Sequence, residues 1–109
     1  MIVLLKSKAN KETLKEVSED LDGYVKFVVD IDHEILTAGG TRHVMGEELL
    51  LKNGSLQKNL WGGGLDLETK ELDFDSMINI RVNQGNPSRE VLDKDIRAKM
   101  EKIVRRILK

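Results

Sequence analysis

The stretch from Tyr24 to Glu34 alternates cleanly. Val25, Phe27, Val29, Ile31 and His33 fall on one side, and Tyr24, Lys26, Val28, Asp30, Asp32 and Glu34 on the other. Successive side chains of a strand point to opposite faces, so this pattern predicts a half-buried β-strand with its odd positions in the core. The even face turns acidic toward its end. A strand of this kind needs pairing partners and a covering layer, which commits the chain to a sheet packed by other elements.

The rest of the chain supplies them. Ile2 to Leu5 is a short apolar run that reads as a buried strand. Asn10 caps a helix carrying Leu14, Val17 and Leu21, and Gly23 ends it. Ala38-Gly39-Gly40-Thr41 reads as a loop, with Thr41 capping a helix from about Arg42 to Lys52 that stops at Asn53-Gly54. From about Gln57 to Asn83 the pattern predicts a β-hairpin with its tip near Leu67 to Lys70. Pairing Leu65 with Leu72 puts Trp61, Leu65, Leu67, Leu72, Phe74, Ile78 and Ile80 on one face. Gly62, Gly64, Asp66, Glu71, Asp73, Asp75, Met77, Asn79 and Arg81 take the other. Asn86-Pro87 opens a last helix with an apolar stripe of Leu92, Ile96, Met100, Ile103 and Ile107. The expected fold is α+β: one domain spanning residues 1–109, two layers, a sheet of about four strands packed by helices, in the order β-α-β-α-β-β-α.

Composition narrows the function classes. With no cysteine among 109 residues, disulfide scaffolds, Cys-ligated zinc and thiol chemistry are excluded. Eighteen basic residues against nineteen acidic ones leave no global basic field, so no nucleic-acid partner is expected. No apolar run approaches the ~20 residues of a membrane helix, and the N-terminal residues lack the pattern of a signal peptide. We expect a cytoplasmic protein with no membrane partner. A charged fraction of 34% also suits a heat-adapted host.

Three groups of residues can carry chemistry. Asp30, Asp32 and Glu34 share one strand face, and Asp73 and Asp75 share another, with Asp66 across the hairpin. Carboxylates two apart on a strand lie roughly 7 Å apart. They repel by about 0.6 kcal/mol in water and about 2.4 kcal/mol at an effective dielectric of 20. If they converge on one sheet face, a divalent cation reverses that cost, and oxygen-only ligands select calcium, with magnesium second. Gly62 and Gly64 then leave the polar face open beside the acids. The competing reading is a solvated face partly neutralised by Lys26, Lys58 and Arg81.

The second group is His43 and Glu47, helical neighbours at i and i+4 that can supply an oriented acid or base. The third is Arg81 with Asn79. Arg81 can hold a small anionic substrate, or else pair with Asp30 or Asp32. Two alternatives to a cation-binding module follow. One is an enzyme using His43, Glu47 and Arg81, with Asp30 and Asp32 nearby. The other is an interaction protein that forms a homodimer through an edge strand near Tyr24 or at the hairpin.

Several segments carry a family resemblance. They are Val25 to Asp32, Gly39 to His43 followed by Glu47, Leu49 to Gln57, Trp61-Gly62, Ser76 to Arg81, and Asn86 with the closing helix. Together they resemble a family of small uncharacterised prokaryotic proteins, a domain of unknown function, over nearly the whole chain. The resemblance implies a single α+β domain without an assigned activity. More loosely, the chain is similar to a small archaeal α+β protein that binds calcium. Between Gly40 and Glu48 it is less acidic than the family pattern.

Overall fold

A computed structural model describes residues 1–109. Five strands, β1 (Ile2–Leu5), β2 (Tyr24–Asp30), β3 (Ile35–Gly39), β4 (Leu60–Asp66) and β5 (Leu72–Asp73), form one antiparallel sheet. Their order across the sheet is β1-β3-β2-β4-β5. Three helices complete the domain: α1 (Lys11–Ser18), α2 (His43–Lys52) and α3 (Lys94–Leu108). The α+β class stands, with five strands where about four are expected.

The additional strand comes from the alternating segment itself. Residues 24–34 do not run straight. The chain reverses after Asp30, and Asp30 pairs with Ile35 across a four-residue turn. The Glu34 amide closes the turn onto the Asp30 carbonyl at 2.9 Å, with Glu34 at φ +58°. Asp32, His33 and Glu34 are therefore turn residues, and β3 takes up the Ala38-Gly39 expected in a loop. The Asp30 side chain makes the reversal possible. Its Oδ1 accepts from the Asp32 and His33 amides at 2.9 and 3.0 Å, the local bonding by which aspartate nucleates turns.

The odd residues of β2 are core, as the alternation predicts. Val25, Phe27 and Val29 pack with Leu36, Ala38, Trp61 and Leu65 against Val17 of α1 and Met100, Ile103, Val104 and Ile107 of α3. Asn10 caps α1 through Oδ1, which accepts from the Thr13 amide at 2.8 Å. The second face is also covered. Val28, Leu60 and Leu50 of α2 form a smaller cluster there, flanked by Leu4, Ile35 and Ile78. Close packing of α2 depends on Gly46, because a Cβ there would collide with the Thr37 hydroxyl and press on Val28. Helices thus lie on both sides of the sheet, and the two-layer picture extends to a third, partial layer.

The expected hairpin has the right register and the wrong length. Leu65 faces Leu72, but β5 pairs only Gly64 and Leu65. Past Asp73 the chain leaves the sheet, forms short 3-10 turns at Met77–Asn79 and Val82–Gln84, and reaches α3 only at Lys94. Two buried asparagines organise this irregular stretch. Asn79 takes the place of a strand: its Oδ1 accepts from the Gly62 amide at 2.8 Å and its Nδ2 donates to the Gly62 carbonyl at 3.0 Å. Asn86 does not cap α3. Its Nδ2 reaches the carbonyls of Asn79, Ser88 and Glu90, and its Oδ1 accepts from the Leu92 amide. The cap of α3 is Asp93, which accepts from the Asp95 and Ile96 amides.

Candidate functional site

The carboxylates expected to converge are separated by the sheet. Asp30 sits at one end of β2, beside Leu60 of β4, while Asp66 faces Tyr24 at the other end. Six residue steps of strand put roughly 20 Å between the two groups. Asp30 is wholly buried and its oxygens are already occupied. Beyond the two turn amides, Oδ2 accepts from the Ser55 hydroxyl at 2.6 Å and from His33 Nδ1 at 2.8 Å. Burial alone would raise its pKa, but the bonds from Ser55, His33 and Asp32 together hold it below the ordinary value. Asp32 and Glu34 are exposed on the turn.

At the far end, Asp66 closes the β4–β5 turn by accepting from the Glu68 and Thr69 amides. Asp73 accepts from the Tyr24 hydroxyl at 2.5 Å, and Asp75 pairs with Arg89 at 3.1 Å. Each carboxylate thus serves its own turn or neighbour. No three histidine, aspartate or glutamate side chains are grouped closely enough to hold a metal ion.

Of the His43, Glu47 and Arg81 constellation, the structure brings Glu47 and Arg81 together and sets His43 apart. His43 and Glu47 share α2 but not a hydrogen bond. Glu47 is buried; desolvation raises its pKa, and the charge of Arg81 opposes the rise. Arg81 is turned to the edge of β4. It donates to the carbonyls of Gln57 and Leu60 and lies 3.9 Å over the Trp61 ring. The guanidinium thereby covers carbonyls that β5 is too short to reach, and it faces neither Asp30 nor Asp32.

His43 instead enters the largest cavity of the molecule, about 420 Å³. Its walls come from β2 (Tyr24, Lys26), the start of α2 (Arg42, His43, Val44) and the irregular segment (Asp75 to Ile78, Arg89). Three of these wall side chains seat on Gly62 and Gly64 of β4. A side chain on Gly62 would meet Ser76 at 2.8 Å and the His43 ring at 3.0 Å, and one on Gly64 would overlap the Tyr24 phenol. The glycines expected to leave the sheet face bare are thus the seats of three cavity side chains.

His43 Nε2 lies 2.7 Å from the Gly63 carbonyl oxygen. A carbonyl only accepts, so Nε2 carries the proton. Burial pushes the His43 pKa down; the Gly63 carbonyl and the Asp73 and Asp75 charges oppose this, and Lys26 reinforces it. The ring is neutral at pH 7, with a lone pair on Nδ1. Around it stand three cations, Lys26, Arg42 and Arg89; Arg89 pairs with Asp75, and the Asp73 carboxylate behind Tyr24 also acts on the ring. The residue preceding α2 is Arg42, not Thr41, and no side chain caps its first turn. The backbone N–H groups of that turn and the positive end of the helix dipole therefore add to the cationic character.

A family model described as "Protein of unknown function (DUF5674)" matches residues 3–107. The chain belongs to this family. No curated protein and no solved structure matches it. No helix is long and apolar enough to cross a membrane.

Sequence reasoning found His43 but missed Lys26, Arg42, Arg89, Tyr24 and Ser76 as its companions. One signal was available. Three consecutive glycines inside an apolar strand mark a place where other groups approach the backbone closely.

Proposed function

We propose that this member of the family binds a small anionic molecule in the His43 cavity. The observation that supports this reading is the cavity wall itself: Lys26, Arg42 and Arg89 line it at the uncapped start of α2, outnumbering the Asp75 and Asp73 carboxylates. A phosphate or carboxylate group placed there meets guanidinium and ammonium donors together with the first backbone amides of a helix, the combination that recognises anions in many folds. The reading keeps His43 and the small anionic ligand of the expected enzyme and moves the cationic role from Arg81 to Lys26, Arg42 and Arg89.

The test is a nitrogen–proton NMR titration with inorganic phosphate and then propyl phosphate. Shifts are expected at Lys26, His43, Val44 and Ser76, with affinity reduced about tenfold or more in the double variant Lys26→Ala/Arg42→Ala. Unmoved resonances at millimolar ligand, or shifts that persist unchanged in the double variant, would remove the assignment.

A further inference from the structure

The cations account for the charge of a ligand but not for His43. This residue contributes a second, different demand. Its Nε2–H is committed to the Gly63 carbonyl at 2.7 Å. Gly62 seats the Cδ2 edge of the ring against β4. The opposite edge carries Nδ1, which has no partner in the protein and is accessible to solvent, on a residue that lines the cavity. In this tautomer Nδ1 can only accept a hydrogen bond. An oxyanion placed against it sets lone pair against lone pair, whereas a hydroxyl there is satisfied.

Resting on the anion-binding reading, we propose that the ligand is a hydroxylated anion, a phosphate or carboxylate with a neighbouring hydroxyl, and that His43 Nδ1 selects it by accepting the hydroxyl proton in a hydrogen bond. The two recognition elements are then complementary. Lys26, Arg42 and Arg89 hold the charged end, and His43 reads the uncharged donor beside it. The half-buried ring makes the choice matter, because an unpaired hydroxyl or acceptor in a partly desolvated cavity weakens binding.

Propyl phosphate and glycerol 3-phosphate separate the two levels of the argument, since they share a phosphate monoester and a three-carbon chain and differ in hydroxyl groups. Glycerol 3-phosphate is expected to bind about tenfold more tightly. The His43→Gln variant keeps an N–H that can reach Gly63 and removes the Nδ1 acceptor. It is expected to retain propyl phosphate binding and lose the preference. The Nδ1 nitrogen resonance of His43 reports directly: it should move toward a hydrogen-bonded, unprotonated value with glycerol 3-phosphate only. Equal affinities, or protonation of His43 on binding propyl phosphate, would overturn the hydroxyl assignment while leaving the anion site intact. Failure of both ligands to bind would instead remove the anion site beneath it.

Discussion

Asp30 and His33 are joined by a 2.8 Å bond between a fully buried carboxylate oxygen and the Nδ1 of a half-exposed imidazole. That bond raises the His33 pKa, first through the hydrogen bond and then through the Asp30 charge. His43 is shifted the opposite way by burial. The two histidines are therefore expected to titrate on either side of the ordinary value near 6.5. Stability from His33 is complete below 6.5 and is lost as pH rises through its elevated folded value. Stability associated with neutral His43 is complete above 6.5 and falls as pH drops toward its depressed folded value. Imidazole resonances followed from pH 4 to 9 check both signs, and a shared midpoint would contradict the geometry.

Asp30→Asn should return His33 to an ordinary titration and destabilise the domain by about 2 kcal/mol, because an amide nitrogen cannot accept from both Ser55 and His33. In the parent protein the lowered Asp30 pKa contributes stability that is present above its ordinary value and is lost as pH falls through the folded one. Denaturant unfolding at pH 7 and pH 3 measures this: the gap between parent and variant should narrow at pH 3.

Asp30 and Asp73 belong to opposite ends of β2, so they are not expected to respond together to a divalent ion. Calcium or magnesium added to chelator-treated protein should leave the Asp30 amide unshifted, since its carboxylate is filled by protein donors. Concerted shifts at Asp30 and Asp73 at sub-millimolar calcium would contradict this separation.

Asn79→Ala should cost about 3 kcal/mol or more. It strips both buried hydrogen bonds from Gly62 and removes the second of two donors from each of the Phe74 and Arg89 carbonyls, which keep the Val91 and Ser76 amides. The measurement is urea unfolding. A loss below 1 kcal/mol would show that Asn79 does not stand in for a strand.

Gly64→Ala should destabilise by about 1–3 kcal/mol through overlap with the Tyr24 ring. The cost should shrink in the Tyr24→Ala background, where the ring is absent. Full additivity in the double-mutant cycle would place the clash elsewhere.

Much of this fold was legible in local pattern. The core face of β2, the cap and inward residues of α1, the Leu65 and Leu72 register and the apolar stripe of α3 all follow from periods that repeat within a few residues. The β2–β3 reversal was hidden because Ile31 and His33 continue the alternation, and the position at positive φ is Glu34 rather than glycine or asparagine. The Asp30-Ile-Asp-His sequence held the turn chemistry, but only as an alternative to a strand. The long hairpin failed for a related reason. Ser76 to Arg81 alternates like a strand, yet Asn79 and Arg81 spend their side chains on backbone groups of β4.

The sequence alone determined which faces are apolar, where α1 is capped and that no thiol chemistry exists, because these depend on residue type and short-range spacing. Tertiary structure decided which polar residues meet. It carried Asp30 and Asp73 to opposite ends of a strand, turned Arg81 to a sheet edge, and gathered Lys26, Arg42, His43 and Arg89 from positions up to 63 residues apart around one cavity. Those encounters depend on strand order and chain reversal, which long-range packing sets and no local period encodes.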